Sequence, residues 1–181
     1  MIKTAVLIGH TETSPGACSP FMKDCEFQFN KKIALMAAER DSNITVFENG
    51  TYKNGYFEMV KNTSARINKG GFDLIIELHY NAADPSAHGS EALYYFKNAK
   101  GKKLANHFSS LMQSEMKYKS RGAKPLINKT DRGFWAVYIP APTVVILEPF
   151  FGSNENDVKL MDQHKYVEVI LKCIKYYEGL L

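Results

Sequence analysis

Short apolar runs rich in β-favouring residues, set apart by stretches of helical period, constrain this chain more than any other feature. "KTAVLI" (Lys3–Ile8) stops at Gly9, and "NITVFE" (Asn43–Glu48) and "FDLIIEL" (Phe72–Leu78) come after it. "SEALYYF" (Ser90–Phe96), "FWAVYI" (Phe134–Ile139) and "TVVILEPF" (Thr143–Phe150) complete the set. Unbroken apolar runs of this length suit strands buried on both faces. Between them, Phe29, Ile33, Met36 and Ala37 recur at helical spacing over Glu26–Arg40, with Asp24 as the expected N-cap. "GYFEMVKNTSARINKG" reads as a second helix, Lys102–Tyr118 as a third, and Asn156–Tyr177 as one long amphipathic helix. The stretch Thr11–Cys25, rich in Ser, Pro, Gly and Thr, reads as a loop. The alternation predicts an α/β fold: a single domain over 1–181, with a mostly parallel twisted sheet of about six strands and helices on both faces.

Composition is that of a globular protein, with 181 residues, 45% hydrophobic and 23% charged. The net charge of +4 is mildly basic. Its small clusters, at Lys100, Lys102 and Lys103 and at Lys117, Lys119 and Arg121, read as solvated faces rather than a nucleic-acid surface. No apolar stretch is long enough to span a membrane. "MIKTAVLIGH" lacks a secretory h-region and cleavage site, so synthesis in the cytoplasm is expected. Three cysteines, Cys18, Cys25 and Cys173, give no disulfide framework and are expected to stay reduced. The spacing of Cys18 and Cys25 also lacks a structural-zinc signature.

In parallel sheets, ligands sit beyond the carboxyl ends of the strands. His10 comes after the first strand, His79 after the third, and Glu148 ends the run "TVVIL", while Glu26 opens the first helix. Singly, each has an ordinary reading as a polar strand end or a helix-dipole partner. Glu148 stands out, because a carboxylate between "TVVIL" and "PFF" is expected to be desolvated. Two imidazoles with a carboxylate suit Zn2+, and a catalytic zinc site keeps three protein ligands and one open position. A further carboxylate can serve as a base. The count is three ligands and one base.

These residues fall in a longer pattern. "VLIGHTETSPGA", then "EFQFN" (Glu26 to Asn30), then Arg66 on a helix, precede "DLIIELHYNAA", "GSEALYY" and "PTVVILEPFFGSNEND". In this order the chain resembles the zinc-dependent N-acetylmuramoyl-L-alanine amidases, peptidoglycan-cleaving enzymes of bacterial autolysins and phage endolysins. The resemblance implies that His10, Glu26 and His79 are the zinc ligands and Glu148 the catalytic carboxylate. It places Asn81 at a position that lines the site or caps the loop. It also shows departures: Thr11-Glu12-Thr13 stand where glycines are usual, Glu77 where a small Ser is usual, and Pro149 after Glu148.

By that resemblance the chain is expected to be a hydrolase that cleaves the amide between N-acetylmuramic acid and L-alanine, needs Zn2+, and acts as a monomer on peptidoglycan. It is expected to bind neither nucleic acid nor membranes stably, and to reach the wall after release, as a phage endolysin does. Two other classes compete: a zinc amidohydrolase or peptidase with a soluble substrate, and a non-catalytic wall- or polyanion-binding module. His88, His107 and His164 read as surface residues. Phe134, Trp135 and Tyr138 read as core more than as a sugar platform.

Overall fold

The computed structural model describes residues 1–50 and 52–181. Its elements run β1 (Thr4–Ile8), α1 (Glu26–Arg40), β2 (Ile44–Glu48), α2 (Gly55–Asn68), β3 (Leu74–Leu78), β4 (Ser90–Tyr95) and α3 (Ala99–Ser114). They continue with β5 (Ser120–Leu126), α4 (Phe134–Tyr138), β6 (Thr143–Glu148), α5 (Glu155–Leu160) and α6 (Gln163–Glu178). All these strands join one sheet in the order β2-β1-β3-β6-β4-β5. The pairs among β2, β1, β3 and β6 are parallel, β4 runs antiparallel to β6, and β5 is parallel to β4. The α/β expectation with a mostly parallel sheet holds.

Alternation along the strands decides what each face buries. Val6, Ile8, Leu74, Ile76, Leu78, Val145 and Leu147 meet α1, α3 and α6 through Phe29, Ile33, Phe108 and Ile170. Ala5, Leu7, Ile75, Val144 and Ile146 face the other way, towards Ile67 of α2 and Phe134 and Val137 of α4. Helices therefore cover both faces. The same parity puts Glu77 and Glu148 on the α2/α4 side, in line with Ile75 and Ile146.

Some sequence expectations need correction. "FWAVYI" is no strand: Gly133, at φ 85°, turns the chain left-handed, and Phe134–Tyr138 form a short helix lying on the sheet. Phe134 and Val137, three apart, pack there, and the place beside β6 belongs to β4. The sixth strand is instead "SRGAKPL" at the sheet edge, where Pro125 needs no second ladder partner. The long C-terminal helix is two. The Asp162 side chain accepts from Lys165 N at 3.1 Å and starts α6 afresh after α5 ends at Leu160. Asp24 does not cap α1, since Cys25 holds that position and Asp24 pairs with Lys32.

Candidate metal centre and active site

Register assembles the rim. Ile8, Leu78 and Leu147 lie side by side across β1, β3 and β6, so the next residues, Gly9, His79 and Glu148, emerge together. Gly9 N donates to Leu78 O at 2.9 Å and His79 N to Leu147 O at 3.1 Å, which carries the ladder one step further. His10 then turns into the left-handed region, φ 64°, a conformation uncommon for a side chain with Cβ and characteristic of functional sites.

Glu26 stands between the two imidazoles. Its Oε1 lies 2.8 Å from His79 Nδ1 and its Oε2 3.1 Å from His10 Nε2. The backbone fixes that carboxylate: Tyr80 N donates to Oε1 at 3.1 Å and Ala17 N to Oε2 at 3.2 Å. One potential ligand atom from each of His10, Glu26 and His79 lies within 4.8 Å of the others. Ligand atoms held 2.0–2.2 Å from a tetrahedral ion stand roughly 3.3 Å apart, so the set suits zinc in number and type and needs only a small inward adjustment to converge on one ion. The cluster is also cut to shape by glycine. A Cβ on Gly16, itself at φ 78°, would come within 2.6 Å of both Glu26 Oε2 and His10 Cδ2.

Burial alone would raise the Glu26 carboxyl, but hydrogen bonds from His10 and His79 outweigh it and hold the pKa at about 2. His79 is the mirror case. Burial opposes its charge, yet hydrogen bonds to Glu26 and Glu77 lift it well above the usual histidine range. Glu148 has no such cation in contact. Burial pushes its carboxyl up to about 8 against the pull of His79, and Oε2 has no hydrogen-bond partner among the described residues. A carboxyl poised near neutral pH can both take and return a proton.

These groups share the wall of one cleft of about 730 Å3. Asn81 lies along this wall; its backbone pairs with Phe150 and Gly152, and its Nδ2 donates to Glu91 Oε1 at 2.7 Å. Sequence reasoning missed much of the remainder: Tyr52, Tyr56, Glu91, Lys129 and Arg132 also line the cleft. Tyr52, Lys129 and Arg132 sit outside helices and strands, where no periodic signal reveals them, and Tyr56 and Glu91 sit on α2 and β4 with nothing in their spacing to point at the cleft. Trp135, read as core, is half-buried and forms part of the same wall, whereas Phe134 is core. His88 Nδ1 donates to Ser86 O within its own loop, and His107 stacks on Tyr176. Cys18 and Cys25, expected to be reduced, are joined in a disulfide. The two chain segments pair as an isolated bridge, which brings the sulfurs together directly before Glu26. Cys173 is free and buried.

Over residues 5–179 the chain matches the family described as N-acetylmuramoyl-L-alanine amidase. It belongs to that family. It is thus an amidase of peptidoglycan, and the hydrolase expectation holds. The catalytic domain of the CD27L endolysin targeting Clostridia difficile is 27% identical, with a TM-score of 0.79, covering 97% of this chain and 98% of that one. The CwlD amidase from Clostridioides difficile, solved in complex with the GerS lipoprotein, has a TM-score of 0.81 at 23% identity, covering 99% and 100%. An N-acetylmuramoyl-L-alanine amidase from Clostridium difficile 630 has a TM-score of 0.79 at 21% identity, covering 98% and 97%. The last two likenesses speak to fold alone. No curated protein matches the chain.

Proposed function

We propose that this amidase is zinc-dependent and works on the wall as a phage endolysin, with residues 1–181 as one catalytic domain. His10, Glu26 and His79 hold the ion, and the observation that carries this is the Glu26 carboxylate bridging both imidazoles at 2.8 and 3.1 Å. Bound there, zinc supplies Lewis acidity towards the scissile carbonyl and a water that ionises near neutral pH. Glu148 takes the proton from the attacking water and delivers it to the departing L-alanine nitrogen, which suits a carboxyl raised to about 8 by burial. Asn81 holds the cleft wall against Glu91 and faces the muramyl-peptide. The enzyme acts as a monomer on peptidoglycan, without nucleic acid or a stable membrane contact. It is made in the cytoplasm and reaches the wall when another protein permeabilises the membrane. Similarity to an endolysin catalytic domain over nearly its whole length supports that setting.

The test is digestion of purified sacculi, with products identified by mass spectrometry and metal content measured alongside. The wild type should release stem peptides with a free L-alanine amino terminus and carry about one zinc per chain. Glu148→Gln should keep its zinc and lose ~10²–10⁴-fold in turnover, the usual worth of a positioned base. Full activity after metal stripping overturns the zinc reading, and near-normal turnover of a zinc-loaded Glu148→Gln overturns the base. Cleavage of small acyl-amino acids with sacculi left intact would move the substrate to the soluble class.

A further inference from the structure

Glu77 is a carboxylate inside a strand, only 5% exposed, and such a group is costly to bury without a partner. Its Oε1 lies 3.1 Å from His79 Nε2, and its Oε2 has no hydrogen-bond partner among the described residues. The imidazole is thus its one hydrogen-bonded side-chain contact among the described residues. His79 uses its two nitrogens in opposite directions. Nδ1 faces Glu26, on the side where the cluster gathers, and Nε2 faces Glu77. A neutral imidazole carries one proton, so a ring that offers the Nδ1 lone pair to a cation must keep its N–H at Nε2. That N–H needs an acceptor, and Glu77 Oε1 is in place to be it. Gly9 completes the clamp. A Cβ there would collide with His79 Cε1 and Nε2, so backbone bounds the same edge of the ring that Glu77 holds.

We propose that Glu77 is a positioning residue for His79: by accepting the Nε2–H bond it fixes the ring's tautomer and orientation and strengthens the cluster's hold on a divalent cation. This rests on the zinc-dependent reading of the site. Partners of this outer kind orient a ligating histidine and raise its basicity, and their loss usually weakens metal affinity 10–100-fold. The carboxylate does not join the ligand set itself, because among the described residues the group whose ligand atoms all lie within 4.8 Å of one another is His10, Glu26 and His79, without Glu77.

The experiment titrates zinc into the metal-free wild type, Glu77→Ala, Glu77→Gln and His79→Ala, and records visible spectra of the cobalt(II)-loaded proteins. Glu77→Ala should lose roughly 10–100-fold in zinc affinity and show a displaced cobalt spectrum as the ring turns. Glu77→Gln keeps a neutral acceptor within reach, so its cobalt spectrum should stay close to wild type and its affinity fall between the two. Glu91→Gln removes a carboxylate of the same cleft that does not touch His79, and should leave zinc affinity unchanged. Unchanged affinity and spectrum in a folded Glu77→Ala overturn the proposal, as does equal loss in Glu77→Ala and Glu77→Gln. Loss of metal as complete as in His79→Ala would make Glu77 a ligand and overturn it too. A wild type that takes up no metal overturns the zinc-dependent reading and this inference with it.

Discussion

Two glutamates of one cleft ionise differently because of what touches them. Glu26 has two imidazoles and two backbone N–H groups on its oxygens and stays ionised, with a pKa of about 2. Glu148 is half-buried, its Oε2 has no hydrogen-bond partner among the described residues, and desolvation raises it to about 8. In metal-free protein the two act on stability in opposite pH ranges. The depressed Glu26 stabilises above its ordinary 4.5, and that stability is lost as pH falls through about 2. The raised Glu148 makes the folded state most favourable below its ordinary 4.5, and that contribution is lost as pH rises through about 8. His79, also raised, has the same sign from 6.5 upwards. Between 4.5 and 6.5, then, Glu148 is the one of the three whose protonation differs between folded and unfolded chains. Urea denaturation of metal-free protein across that interval should show Glu148→Gln losing less stability with rising pH than the wild type. Parallel curves for the two would mean that Glu148 is ionised in the fold. The sequence made Glu148 legible because an acid closing "TVVIL" has nowhere polar to go. Glu77 was legible only as a departure from the family pattern. Residues two apart along a strand share a face, so its nearness to His79 lay within reach of spacing. Which ring nitrogen each glutamate meets is decided by packing, and spacing carries no trace of it.

At the scale of elements, the loop between β1 and α1 carries as much of the site as the strands do. Glu26 N donates to Ala17 O at 2.8 Å, Phe27 N to Pro15 O at 2.9 Å, and Tyr80 Oη to Ala17 O at 2.6 Å. The Cys18–Cys25 disulfide closes this loop directly before the helix that presents Glu26. A cross-link around so short a loop contributes roughly 2–3 kcal/mol by chain entropy. The double variant Cys18→Ser/Cys25→Ser should therefore melt earlier yet keep its secondary structure, because the sheet and both helical layers are built without this loop. Its zinc affinity should fall as well, since Ala17 and Gly16 lose their fixed approach to Glu26. Circular dichroism with metal titration checks both, and undiminished affinity would show that the bond braces the fold and not the centre. The strands of the sheet interior were legible from their unbroken apolar runs. The edge strand β5 was not, because its exposed Arg, Lys and Pro and its half-buried Ser and Gly fit neither strand period nor strand propensity. "FWAVYI" misled for the converse reason: its aromatic, β-branched content marks burial, and burial on top of a sheet looks the same in sequence as burial within one.

For the molecule as a whole, the centre joins pieces far apart in the chain: the β1 end, the α1 start and the β3 end, with the neighbouring β6 supplying Glu148 to the same cleft. A ligand that binds only when those pieces are together must stabilise all of them at once. At free zinc about 100 times its dissociation constant, the linkage amounts to about 2.7 kcal/mol. For a chain of this size each kcal/mol moves the melting temperature by roughly 2–4 °C, so saturation should raise it by about 5–11 °C. His79→Ala should lose most of that shift, while Glu148→Gln, which keeps all three proposed ligands, should retain it. The measurement is differential scanning calorimetry of each protein with and without zinc, using magnesium as the control cation, since a site of two imidazoles and one carboxylate favours zinc over an ion that prefers oxygen ligands. An equal rise in wild type and His79→Ala would place zinc elsewhere on the surface. No rise in the wild type would mean that the three groups, though gathered within ligand reach, serve only as an ion-pair cluster that ties β1, α1 and β3 together.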